Sequence, residues 1–113
     1  MDHIEQLRRL TFNDTGFADH CLRGADAGSA GLDPKTQALV RLAALIAIGG
    51  SEPSFGEHAD AAVSAGATAV EIVDVLVRVV PTVGLPRVVA AAPMVGMALG
   101  YDVNVALEDG SIG

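Results

Sequence analysis

His58 closes a ten-residue stretch, residues 49–58, that reads Gly-Gly-Ser-Glu-Pro-Ser-Phe-Gly-Glu-His. Ser54 lies four residues before it and Ser51 seven before it. On a helix opened by Pro53, a spacing of four puts Ser54 and His58 one turn apart on one face, with Ser51 just outside and able to fold back. Imidazole exchanges a proton near neutral pH, so His58 can act as a general acid. A serine hydroxyl can donate a hydrogen bond to an oxygen on which negative charge develops. Glu52 adds a carboxylate in the same stretch, whereas Glu57 points elsewhere. An acidic substrate needs a cation to orient it. Arg41, the lone charge in an otherwise apolar segment, is the first candidate, and Arg87 is the second.

The same residues also fit quieter roles. Serines at a helix start commonly cap it, and a histidine one turn in can simply pack or bond a neighbouring carbonyl. Arg41 can pair with an acid across a subunit contact. Glu57, His58 and Asp60 sit too close along the chain to surround a metal, so no metal site is expected. Cys21 is the only cysteine, which rules out an internal disulfide and a cysteine-based zinc cluster. His3 and His20 read as surface residues.

The elements that must position these groups read as helices. A short one ends near Thr11, with Ile4, Leu7 and Leu10 on one side. Asn13 or Asp14 caps a second that runs to about Arg23, with Phe17, Cys21 and Leu22 as its apolar side. Residues 24–31 are small and turn-like. Asp33 caps a third helix with Pro34 at its first position, where the missing N–H costs nothing. That helix is apolar almost all round from Leu39 and stops at Gly49-Gly50, as befits a core or a subunit contact. Ser51 or Glu52 opens the fourth, which runs to Ala65 with Gly66 as its left-handed stop.

Thr68 and Glu71 form a capping box for the fifth helix. Its valines suggest a strand, but Glu71, Asp74 and Arg78 recur at three and four, the period of a helix. Pro81 and the following residues 82–86 are expected to break it. A last helix spans about Leu85 to Tyr101, with Ala92, Gly96 and Gly100 as a smooth ridge and Pro93 as a weak point. Residues 1–101 thus form one helical domain and 102–113 a tail. The fold class is all-α, a single-domain bundle of five to six helices.

Bulk composition bounds the partners. Half of the 113 residues are apolar but only 4% are aromatic, and mean hydropathy is +0.43. So small a domain cannot easily hide that much Ala, Val, Leu and Ile alone, and the surplus is expected to face another copy of the chain. The net charge of −7 argues against nucleic acid and against anionic membrane surfaces. Residues 1–10 lack the apolar core of a secretory signal. The apolar run at residues 88–99 falls short of the ~20 residues needed to span a bilayer. The expected setting is cytoplasmic.

Leu32-Asp33, Lys35-Thr36, His58, Gly66, Thr68, Glu71-Ile72 and Gly84 with Pro86 occur in an order that resembles the carboxymuconolactone decarboxylase family, which includes the alkylhydroperoxidase-D-like proteins. The resemblance covers about residues 32–98. It implies an all-helical fold assembled as a homotrimer or hexamer. The redox branch of that family carries Cys-x-x-Cys with a histidine four residues on, and a glutamate on the preceding helix. Those positions here hold Ser51, Ser54, His58 and Leu39. A serine oxygen neither ionises near neutral pH nor forms a disulfide, so thiol peroxidase activity is not expected. The decarboxylase branch keeps the histidine with acidic residues shortly before it. Glu52 stands at one of those positions and Ser54 at the other.

The resemblance implies a cofactor-free carboxy-lyase acting on a small lactone or carbonyl acid. Its catalytic set would be His58, Ser54, Ser51 and Glu52, with Arg41 and Arg87 binding substrate. The alternative is a non-catalytic oligomeric binding or scaffold member that has kept the core and lost the chemistry.

Overall fold

The computed structural model describes residues 1–24 and 31–101. Among them are six helices and no strand: α1 (His3–Thr11), α2 (Thr15–Leu22), α3 (Pro34–Ile48), α4 (Glu52–Ser64), α5 (Ala69–Val83) and α6 (Leu85–Ala98). They fall into two compact units, Met1–Leu32 and a larger one starting at Asp33. The expected turn at 24–31, apart from its end residues, and the tail at 102–113 lie outside the described residues.

In the first unit, α1 and α2 pack on each other. Asp2 caps α1 by accepting from the Glu5 N–H, and Asp14 caps α2 by accepting from the Phe17 N–H at 2.9 Å. Phe17 is buried. Cys21 and Leu22, expected beside it on the apolar side of α2, are instead exposed. Leu22 is the last residue of the eight-residue helix. Ile4, Leu7 and Leu10 do share one side of α1, but all three are exposed. Glu5 binds both Arg8 and Arg9, and these two guanidiniums hold its pKa down to about 2.

The larger unit is a four-helix bundle in which α4 packs on α3 and α6, and α5 also packs on α3 and α6. Its core is small and aliphatic. Leu42 and Ile46 from α3, Phe55 from α4, Ile72 from α5 and Val95 from α6 are the largest fully buried side chains. Burying side chains of this size contributes about 1.5–3 kcal/mol each. Side-chain caps fix the starts of α3, α4 and α5 against that core. The Asp33 carboxylate accepts from the Thr36 N–H at 2.7 Å, with Pro34 in the first turn. Thr68 and Glu71 form the reciprocal box, with Thr68 N–H donating to Glu71 at 2.9 Å and Glu71 N–H to Thr68 at 3.1 Å. Lys35 reaches Glu71 at 3.0 Å and ties the start of α3 to the start of α5. The Thr68 N–H, then Lys35, hold the Glu71 carboxyl below its ordinary range.

Two expectations about helix ends are corrected. Pro81 does not break α5, which continues to Val83 and stops at Gly84. A proline here forfeits one bond to the carbonyl four residues back. Pro81 and Val77 both face outward, so water can serve that carbonyl. Pro93 and Val89 repeat the arrangement on the outer face of α6. The second correction is that α6 ends at Ala98 rather than Tyr101. Gly100 adopts φ +87, and Tyr101 N–H turns back to the Gly96 carbonyl at 2.9 Å.

Candidate functional site

The residues of interest meet where α3 hands over to α4. The reversal is built on Gly49, whose φ of 82 and ψ of 148 lie where essentially only glycine goes without strain. Ser51 follows in extended backbone and caps α4, its hydroxyl accepting from the Ser54 N–H at 3.3 Å. The same hydroxyl lies 3.1 Å from the Ser54 hydroxyl. Ser51 thus folds back over the first turn.

Phe55, Ala59 and Ala62 form the buried stripe of α4. His58 is three residues beyond Phe55, which places it about 60° round the helix from the stripe's centre. It is accordingly half-buried, at the border of core and solvent, with Ser54 beside it. His58 Nδ1 lies 2.8 Å from the Ser54 carbonyl oxygen. A carbonyl only accepts, so Nδ1 must carry the hydrogen and donate. In the neutral ring the lone pair then sits on Nε2. The bond holds one ring nitrogen and leaves the other to exchange protons.

The two glycines before Ser51 bring further groups close. A Cβ on Gly50 would lie 2.7 Å from Leu45 Cδ1 and 3.6 Å from Ser54 Cβ. A Cβ on Gly49 would collide with Nη1 of Arg87. The Arg87 guanidinium, from the first turn of α6, therefore rests against Gly49, while Ser54 sits against Gly50. Cation and hydroxyls flank one di-glycine turn.

Among the described residues, the remaining candidates make no hydrogen bond or ion pair with this cluster. Glu52 is exposed at the first position of α4 and has no bond to His58 or to either serine. Arg41 is exposed on α3, and among the described residues no ion pair engages it. Among the described residues no three His, Cys, Asp or Glu side chains gather to hold a metal ion. Cys21 lies exposed on α2.

Two features escaped sequence reasoning. The Gly49-Gly50 pair reads as a helix stop, and its second role, admitting Arg87 and Leu45, depends on how α6 and α3 pack. The tautomer of His58 depends on which backbone oxygen its ring reaches. A histidine four residues after a helix's first turn is the available signal, because a carbonyl one turn back is within reach.

The family model of the carboxymuconolactone decarboxylase family matches residues 17–95. Comparison with curated proteins and with solved structures gives no match. A match over most of the chain, on an all-helical fold, establishes that this protein belongs to the carboxymuconolactone decarboxylase family.

Proposed function

We propose that the protein is a carboxy-lyase of the carboxymuconolactone decarboxylase type, acting without a cofactor on a small lactone or carbonyl acid. The observation that carries this reading is the 2.8 Å bond from His58 Nδ1 to the Ser54 carbonyl. That bond holds Nδ1–H and leaves Nε2 as the nitrogen that can exchange a proton with substrate.

The chemistry would run as follows. Arg87, with Arg41 as the second cation, orients the substrate carboxylate. The bond to the carboxyl carbon breaks and carbon dioxide leaves. The electron pair flows into the conjugated carbonyl to give a dienolate. The Ser54 or Ser51 hydroxyl donates to the enolate oxygen as charge develops there. His58, entering as the imidazolium with hydrogens on both nitrogens, delivers its Nε2 proton to carbon and is left as the neutral Nδ1–H ring; a proton taken up from solvent restores it. Glu52, close in sequence, would supply a carboxylate only if substrate draws it in.

The protein's partners in this reading are copies of itself, as a trimer or hexamer, with the site near a subunit boundary. Exposed apolar side chains on α3, α5 and α6, among them Val40, Ile48, Val70 and Val89, support association. The net charge of −7 disfavours nucleic acid and anionic membranes as partners. Among the described residues no helix is long and apolar enough to cross a membrane.

Two observations favour a second reading. His58 bonds the carbonyl one turn back, as a purely structural histidine does, and the Ser51 hydroxyl is already engaged, by the Ser54 N–H and the Ser54 hydroxyl. A member whose polar residues only build the helix start would be a binding or scaffold protein. Carbon dioxide release from muconolactone-type acids separates the two. The carboxy-lyase reading predicts turnover by the parent that falls about 10²–10⁴-fold in His58→Ala. No turnover across such acids leaves the scaffold reading. Equal rates in parent and variant remove His58 from the chemistry.

A further inference from the structure

We propose that residues 102–109 of this chain dock along the outward face of α5, in the groove that Val70, Val73 and Val77 form with Tyr101. The proposal is independent of the chemistry of His58 and of any contact between copies.

The exit of α6 aims the chain at this groove. Tyr101 N–H donates to the Gly96 carbonyl at 2.9 Å and Gly100 N–H to the Met97 carbonyl at 3.0 Å, with Gly100 in the left-handed region. This pair of bonds is the Schellman closure of a helix, and it fixes the direction in which the chain leaves. Tyr101 lines the groove together with Ala69, Val70, Val73, Asp74 and Val77, around a volume of about 360 Å³. The three valines recur at three and four along α5 and are all exposed, Val70 at 78%, and Tyr101 is 58% exposed.

The sequence beyond Tyr101 fits the strip in order. It reads Asp-Val-Asn-Val-Ala-Leu-Glu-Asp from 102 to 109. Val103, Val105 and Leu107 alternate with Asn104 and Ala106, the period that sets three apolar side chains on one face of an extended segment. Such a face is about 13 Å long. From Val70 to Val77 the helix advances about 10 Å. Val103 therefore meets Val70, Val105 meets Val73, and Leu107 meets Val77. Asp102 then comes beside the start of α5, the end of a helix that favours negative charge. Glu108 and Asp109 come beside Arg78, which is exposed one residue past Val77. Asp74 already pairs with Arg78 at 3.2 Å, so its charge is largely answered before the segment arrives.

The size of the strip also selects this occupant. A separate partner hides about 800 Å² of each surface in a stable complex, far more than a strip one helix wide can supply. A segment tethered at the groove's own edge needs less, because the tether holds it there at about millimolar effective concentration. Of the side chains that support association, Val40, Ile48 and Val89 lie outside the groove. Only Val70 among them is covered.

Tyr101 is the single tyrosine and the chain has no tryptophan, so its fluorescence reports on the groove alone. Acrylamide quenching compares the full chain with Val103→Asp plus Leu107→Asp, and circular dichroism checks that helicity is unchanged. Quenching follows exposed area, and docking that covers half of the tyrosine's open surface makes the constant rise about twofold in the variant. In a Cys21→Ser background, Val73→Cys with Val105→Cys, or Val77→Cys with Leu107→Cys, is expected to close a disulfide within one chain on mild oxidation. Should the charged variant lose helicity, the disulfide decides. Equal quenching in parent and variant overturns the proposal, as does failure of both cysteine pairs to bridge within one chain. Shielding of Tyr101 that grows with protein concentration and ignores the tail substitutions assigns the groove to a second copy and overturns it as well.

Discussion

Gly49→Ala probes the turn on which the candidate site is built. Gly49 holds φ 82 and ψ 148, a backbone state that a side chain makes costly by about 1–3 kcal/mol. The new methyl also lands on Arg87 Nη1. Arg87 is exposed, so its guanidinium can swing away with little loss of stability. Almost all the loss, about 2 kcal/mol, is therefore backbone strain. For a domain of this size that lowers the melting temperature by about 8–16 °C. Thermal and urea denaturation followed by circular dichroism measures it. Repeating the substitution in an Arg87→Ala background should give the same loss within about 0.5 kcal/mol, since the strain is independent of the arginine. In an active parent, Gly49→Ala should also raise KM, because the cation is displaced. A stability loss below about 0.5 kcal/mol would refute the geometry of the turn. A loss that vanishes in the Arg87→Ala background would refute its assignment to the backbone.

Two further predictions concern the same unit. Ser51→Ala should cost about 1 kcal/mol, the usual value of a lost cap, whereas Ser54→Ala should cost less because only its backbone N–H serves the cap; urea titration of the two variants compares them. Stability should also fall on acidification. The Thr68 N–H and Lys35 lower the Glu71 pKa in the folded state. Its contribution is thus complete above the ordinary value of 4.5 and is lost as pH falls through the lowered folded value. Melting curves between pH 7 and 2 should show that slope, and Glu71→Gln should reduce it, leaving the share of Asp33, which its bonds to Thr36 also hold low.

Helix starts were legible in the sequence because capping is local. Asp33-Pro34, Ser51 and Thr68 with Glu71 each needed only their own few residues to be read, and each caps where expected. Pro81 misled for the opposite reason. Whether Pro81 ends a helix depends on whether water reaches the carbonyl of Val77, and that depends on which face packs inward. Cys21 and Leu22 have the composition of an apolar side, yet both are exposed, because burial depends on what packs against α2 and not on its own sequence. At the candidate site, helical spacing was enough to place Ser54 and His58 on one face. The link between Arg87 and Gly49 joins two distant elements, and no local pattern encodes it.

The central claim is that His58 offers a free Nε2 because Nδ1–H is tied to the Ser54 carbonyl. Long-range ¹H–¹⁵N spectra of the histidine rings at alkaline pH, with His58 assigned by its loss in His58→Gln, test it directly. A proton resident on Nδ1 and an unprotonated Nε2 are predicted. A neutral ring that carries its proton on Nε2 would contradict the account.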